Sequence, residues 1–185
     1  MAESITLSSE LASYSRRVSP ASVGFQEEKL THLHFYLHDV ITGPNPSVVT
    51  VAEPLKDKSN SPLPFGTVVM IDDRLTVAPE PDSELVGKAQ GFYASSSQDG
   101  VGLTMTITFV FTEGTHNGST LSLLGRNMLD FPVREMPIVG GTGDFRFARG
   151  FAQAKTHSLD FTTGNGIEEF DVYVFHYFIT DSSSS

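Results

Sequence analysis

Between Val101 and Phe111 the large apolar residues Val101, Leu103, Met105, Ile107, Phe109 and Phe111 take every odd position, while Gly102, Thr104, Thr106, Thr108 and Val110 take the even ones. A period of two sends successive side chains to opposite faces of an extended strand, so this segment has to bury one face. A helix would scatter the same residues around its axis. The chain must therefore build a sheet with a dry side.

Seven more segments read as strands: 33–41, 48–52, 65–71, 85–94, 119–124, 144–155 and 168–178. Turn chemistry separates them, notably Thr42-Gly43-Pro44-Asn45-Pro46, Asp72-Asp73-Arg74 and the hairpin dipeptide Asn117-Gly118. No segment holds a helical period. Eight strands with no helices between them predict an all-β fold, an eight-stranded antiparallel barrel or a sandwich. At 185 residues the chain fits one domain. Residues 1–30, rich in Ser and Glu and interrupted by Pro20, are expected to form a mobile arm, with the β domain over 31–180. The last strand is apolar on both faces, so its outer face is wanted elsewhere, which points to a subunit interface.

Twelve Lys and Arg against 22 Asp and Glu leave a net charge of −10. Such a surface repels nucleic acid and anionic lipid, and a neutral or cationic small partner fits better. Without cysteine there are no disulfides and no thiolate metal sites. No run is apolar enough for a membrane helix. The polar start MAESITLSSELASYSRR has no signal-peptide core, which leaves a cytosolic protein or a mature secreted form.

The glycine-rich corner Gly140-Gly141-Thr142-Gly143 is followed by Asp144 and Phe145. A P-loop needs Lys and Ser or Thr there, and a dinucleotide fingerprint needs a glycine where Arg146 stands, so no nucleotide cofactor is expected. Past the corner, Phe145, Phe147, Arg149 and Phe151 share one parity and Ala148, Gly150, Ala152 and Ala154 the other. That pattern predicts a strand with a bulky face and a small face.

Two acids stand out. Asp39 lies on the parity of Leu33, Phe35, Leu37 and Ile41. A buried acid there either keeps its proton and donates it to a leaving group, or caps the strand end by accepting backbone amides. Asp144 either points into the same barrel mouth or is an ordinary turn aspartate. Tyr93 offers a phenol. Arg149, if inside, would lower the pKa of whichever acid it meets. His32, His34 and His38 have strand-like spacing and read as surface or rim residues rather than metal ligands. Asn117-Gly118-Ser119 is a glycosylation sequon in an exposed hairpin.

The runs FYLHDV (35–40), VGKAQGFYASSSQ (86–98), the Asn-Gly-Ser-Thr hairpin, LGRN (124–127) and REMPIVGGTGDFRFARG (134–150) together resemble the plant dirigent protein family over residues 30–178. HLHFYLHDVITGPNPS, the QGFYAS run and FRFARG are most similar to the legume branch that contains pterocarpan synthases. The resemblance implies an eight-stranded barrel, a homotrimer, secretion to the plant cell wall space and a cavity for a small phenolic ligand. It assigns functional aspartates to Asp39 and Asp144, and substrate contacts to Tyr93, Arg149, Phe35 and Phe147. The implied activity is dehydration of a 2′-hydroxyisoflavanol with ring closure, without metal or cofactor. A non-catalytic dirigent that orients phenoxy radicals made by a separate oxidase is the alternative. A lipocalin-like carrier is a third reading, disfavoured because acids in an apolar lining do nothing for a neutral ligand.

Overall fold

The computed structural model describes residues 14–55 and 63–179. The chain divides into two units, Glu28–Tyr177 and a smaller one made of Met1–Glu27 with Phe178–Ser185. In the smaller unit Pro20–Val23 forms one 3-10 turn. Ser19 caps it by accepting the Ser22 amide at 3.2 Å, and Gly24 ends it in a left-handed conformation at φ 84°. Much of the expected arm, residues 1–13, lies outside the described residues.

The larger unit is all-β. Among the described residues nine antiparallel strands are present: β1 (Phe25–Asp39), β2 (Val48–Ala52), β3 (Val68–Thr76), β4 (Leu85–Ser95), β5 (Gly102–Phe111), β6 (Thr120–Met128), β7 (Arg134–Thr142), β8 (Arg149–Leu159) and β9 (Gly166–Ile179). Eight of them hydrogen-bond as a ring in the order β1-β9-β8-β7-β6-β5-β4-β3, and the ring closes where β1 pairs with β3. β2 continues the edge of β3 that β1 leaves, pairing with Val68, Val69, Met70 and Ile71. Residues 41–46 loop out between them. The loop is pinched shut by the Ser47 amide on the Val40 carbonyl at 2.9 Å.

The ring has the eight strands expected from the sequence, but its membership differs: β7 belongs to it and β2 does not. β7 was missed because Pro137, Gly140 and Gly141 are poor strand formers, although Arg134, Met136 and Ile138 all face inward. β3 does not stop at Asp72-Asp73-Arg74. Its outward charges are held outside, Asp72 by Lys88 at 2.6 Å and Gln90 at 2.8 Å, and Arg74 by the Pro81 carbonyl at 2.8 Å. β8 begins at Arg149, five residues later than the alternation suggested. Gly143–Phe145 is a 3-10 turn and Phe147 sits at φ 61°, so the parity is reset before the strand starts.

Inside the ring Phe35 packs edge-on against Phe109 (centroids 5.0 Å apart) and stacks on Phe170 (5.9 Å). β5 behaves as its alternation requires, with Leu103, Met105, Ile107, Phe109 and Phe111 buried. Burying such side chains supplies on the order of 2 kcal/mol each. Gly91, at φ 147°, lets β4 and β5 approach: a Cβ there would lie 2.1 Å from the Thr106 carbonyl oxygen.

Candidate active site

β1 ends on Asp39. Its side chain continues the inward series of Phe35 and Leu37, so the last residue of an apolar face is an acid. Burial, and secondarily the nearby Glu168 charge, push its pKa from 3.8 to about 6. The Tyr93 hydroxyl donates to Oδ2 at 3.5 Å, the outer limit of a hydrogen bond, while Oδ1 is shielded from solvent without a protein partner. Tyr93 itself, buried on β4 beside two acids, has its pKa raised and stays a neutral donor.

Across the β1–β3 junction lies a second acid. Tyr36, Leu37 and His38 pair with Thr76, Leu75 and Arg74. One step further along this antiparallel ladder sets Asp39 abreast of Asp73. Asp73 is 1% exposed, follows Val69 and Ile71 on the inner face, and keeps Oδ2 unpartnered. Ser47 donates to its Oδ1 and in turn accepts the Val40 amide at 3.1 Å. Burial and then the Asp39 charge raise its pKa to about 8.

A third polar group completes this end of the barrel. Arg134 of β7, 3% exposed, donates to Glu168 of β9 and to Thr156 at 2.9 Å, and Thr156 donates to Glu168 at 2.9 Å. Burial raises the Glu168 pKa, and Arg134 pulls it back. Arg134 Nε and the buried Asn127 Oδ1 have no protein partner. Buried polar atoms are normally paired, and among the described residues Asp39, Asp73, Asn127 and Arg134 each keep one open, as do Thr67 and Thr112.

A cavity of about 690 Å³ reaches Asp39 from the side of the 41–46 loop, lined also by Ser47, Arg74, Asp160, Asn165 and Ile167 but not by Tyr93, Asp73 or Arg134. The volume suits a drug-sized ligand. Asn165 fixes its rim: Oδ1 accepts the Ile41 and Thr42 amides at 2.8 and 3.0 Å, and Nδ2 donates to the Thr42 carbonyl at 3.1 Å. This ties the 41–46 loop to the β8–β9 hairpin. Chemically, the cavity meets a carboxyl of raised pKa, Asp39, to which Tyr93 donates from outside the lining, beside both apolar and charged side chains.

The residues singled out from sequence separate. Asp39 and Tyr93 come together as expected. Asp144 does not join them. Its Oδ2 accepts from His116 at 2.9 Å, its amide in the 3-10 turn after β7 donates to Ser119 Oγ at 3.0 Å, and its carbonyl accepts from His176 Nδ1 at 2.7 Å. His176 also meets Thr31 on β1 at 2.8 Å. Thr31 and Asp39 are eight residues apart, roughly 26 Å at a rise of ~3.3 Å per residue, so Asp144 belongs to the opposite end. Arg149 points outward, paired bidentately with Glu28 and lying 5.3 Å from the Phe175 ring. Phe147 is 66% exposed. Phe35 is core, walled in by other phenylalanines. Asn117 is exposed beyond the 3-10 turn Gly114–His116, while the sequon's Ser119 is buried.

Asp73, Arg134, Asn127 and Glu168 escaped the sequence reading. Asp73 was within reach, since Val69, Ile71, Asp73 and Leu75 share a parity once β3 is allowed to run on. Of the histidines, His38 is buried on Thr76 at 2.6 Å. On the outer face His32 and His34 both donate to Asp171 Oδ1, at 2.8 and 3.0 Å, and His34, Glu169 and Asp171 lie close enough together to hold a metal ion. Lys155 also reaches Asp171, at 3.6 Å. These groups already satisfy one another.

Comparison with known proteins agrees with this architecture. The family model described as dirigent-like protein matches residues 30–175. Pterocarpan synthase 1 of Glycyrrhiza echinata is 62% identical over 174 residues, covering 94% of this chain and 92% of that protein. Pterocarpan synthase 1 of Glycine max is 59% identical, covering 94% of both chains. A solved pterocarpan synthase dirigent protein superposes with a TM-score of 0.81 at 64% identity, over 89% of this chain and 100% of its own.

Proposed function

This chain belongs to the dirigent family, and from that premise we propose that it is a pterocarpan synthase, a carbon–oxygen lyase that dehydrates a 2′-hydroxyisoflavanol and closes the ring to a pterocarpan. Relatives near 60% identity over almost the whole chain carry that name. The observation that carries the reaction is Asp39: an acid at the cavity wall, with a free oxygen and a pKa near 6, keeps a proton to give where an ordinary carboxyl would not.

The step balances without a cofactor. Asp39 gives its proton to the C4 hydroxyl, and the C4–O bond breaks with its electron pair leaving in water. The resulting quinone methide or benzylic cation is shielded by the apolar wall. The 2′-hydroxyl oxygen then attacks C4 and its proton returns to the Asp39 carboxylate. Holding the two reacting atoms in contact replaces an encounter with an intramolecular closure. Tyr93 steadies the ionised Asp39 between the two transfers. Because Asp144 and Arg149 lie elsewhere, they have no part in this step.

The homotrimer belongs to the same proposal, and exposed Val139, Phe147 and Phe175 on the outer face support it. So does secretion to the plant cell wall space, with Asn117 glycosylated there, on the strength of the family and the exposed sequon. The function is tested by incubating the purified protein, with no oxidase, with racemic 2′-hydroxyisoflavanol and following product by chiral chromatography. Protein-dependent pterocarpan is expected. No turnover here, with stereoselective coupling of coniferyl alcohol in the presence of a laccase, would put the radical-orienting alternative in its place.

A further inference from the structure

Asp73 is the buried acid that the mechanism above leaves idle, and burying an acid without a partner costs free energy. A carboxyl 1% exposed, on a wall otherwise made of Val69, Ile71 and Leu75, costs stability unless something uses it. Among the described residues no cation pairs with it. Its one hydrogen bond comes from Ser47, and the register sets it across from Asp39, where cross-strand side chains lie about 5 Å apart. Two like charges directly opposite in a dry interior repel strongly, and the remedy is to keep one proton between them.

We propose that Asp73 is the positioning partner of Asp39, the two carboxyls sharing one proton so that Asp39 is resupplied with the proton it donates. This rests on the dehydratase reading for its purpose, though not for its chemistry. Asp39 faces the cavity and touches substrate; Asp73, behind it, does not. The one shared proton, resting on Asp73, crosses to Asp39 as Asp39 gives it to the leaving hydroxyl, and the proton lost by the 2′-hydroxyl comes back to the Asp39 carboxylate and is again shared with Asp73. No proton is gained or lost overall.

The charged groups around the pair are few. β9 contributes Glu168, neutralised by Arg134 of β7; β4 contributes the neutral Tyr93; Asp72, next to Asp73, points outward onto Lys88. Burial raises both acids, and the Asp39 charge raises Asp73 further, so the pair loses its protons in two separated steps rather than one. The second step, near 8, is the one that ends proton donation. Without Asp73 only the first, near 6, remains.

The test compares wild type with Asp73→Asn, an uncharged substitute of equal size, in two measurements. The pH dependence of turnover is expected to lose its upper limb near pH 8 in wild type and near pH 6 in the variant, a shift of about two units from the values above. Carboxyl ¹³C NMR titration without substrate is expected to show two coupled steps in wild type and a single Asp39 step in the variant. A merely structural Asp73 would lower the rate or melting temperature and leave the limb in place, overturning the proposal. Independent titration of the two acids, each unmoved when the other is replaced by Asn, would overturn it too. If wild type turns nothing over, the dehydratase reading fails and the NMR result alone decides the pair. Should Asp73→Asn not fold, Ser47→Ala serves, since it keeps both acids and removes the hydroxyl given to Asp73. The second step then rises, and a step that does not move counts against the pair.

Discussion

The two ends of the barrel hold polar clusters of similar make-up and unequal completeness, with one open atom, Thr112 Oγ1, beside the first and four in the second. At one end His116, Ser119, Asp144, His176 and Thr31 pair off among themselves, closing the ring's far end around Phe145, whose ring lies 4.9 Å from that of His176. Because the Asp144 carbonyl can only accept, His176 is protonated on Nδ1, and burial keeps its imidazole neutral by pulling its pKa down. At the other end Asp39, Asp73, Asn127 and Arg134 each keep an atom open. Composition therefore does not tell a structural cluster from a working one. Unsatisfied capacity does, because it costs folding energy that only an occupant can return.

The sharpest way to break this contrast is Asp39→Asn. Turnover should fall by about 10²- to 10⁴-fold, the usual worth of a positioned acid, with the melting temperature held or raised. A large loss of stability together with retained turnover would make the Asp39 end structural after all.

A second comparison follows pH. Both folded-state pKa values lie above the unfolded value near 3.8, so the native state binds more protons between about pH 4 and pH 8 and stability from these groups falls as pH rises through that window. The loss is about 1.4 kcal/mol per pH unit for each acid at most. Thermal melts of wild type and Asp73→Asn should therefore diverge from pH 4 to pH 8 in the variant's favour. Parallel curves would show that Asp73 does not carry a raised pKa.

The smallest effect belongs to the closed end. Asp144→Asn weakens one hydrogen bond to His116 and should cost about 1 kcal/mol by urea unfolding while turnover stays within twofold of wild type. A tenfold loss of turnover would place catalytic function at both ends.

The architecture was legible because β5 and β9 alternate without interruption, and a closed sheet is what such strands demand. Asp39 was legible for the same reason, as the one acid in an apolar series. Asp144 misled because a glycine corner before an acid looks the same whether the acid faces a cavity or a neighbouring histidine. That choice is made by His116 and His176, far off in sequence. Phe147 and Arg149 misled because one left-handed residue resets the parity, and nothing in the alternation announces it. Arg134 and Glu168 were invisible in principle. Each reads as a surface charge until the ring closes and brings β7 and β9 together over Thr156.

The excursion at residues 41–46 lies between two stretches that share one edge of β3, and its base is shut by Ser47 on Val40. Its length is consequently free of the ladder. Residues can be added, lost or exchanged there without sliding any strand against its neighbour, while every such change redraws the rim that Asn165 holds over Asp39. A lineage could diversify which phenol is admitted by editing this one segment, leaving the proton-handling wall untouched.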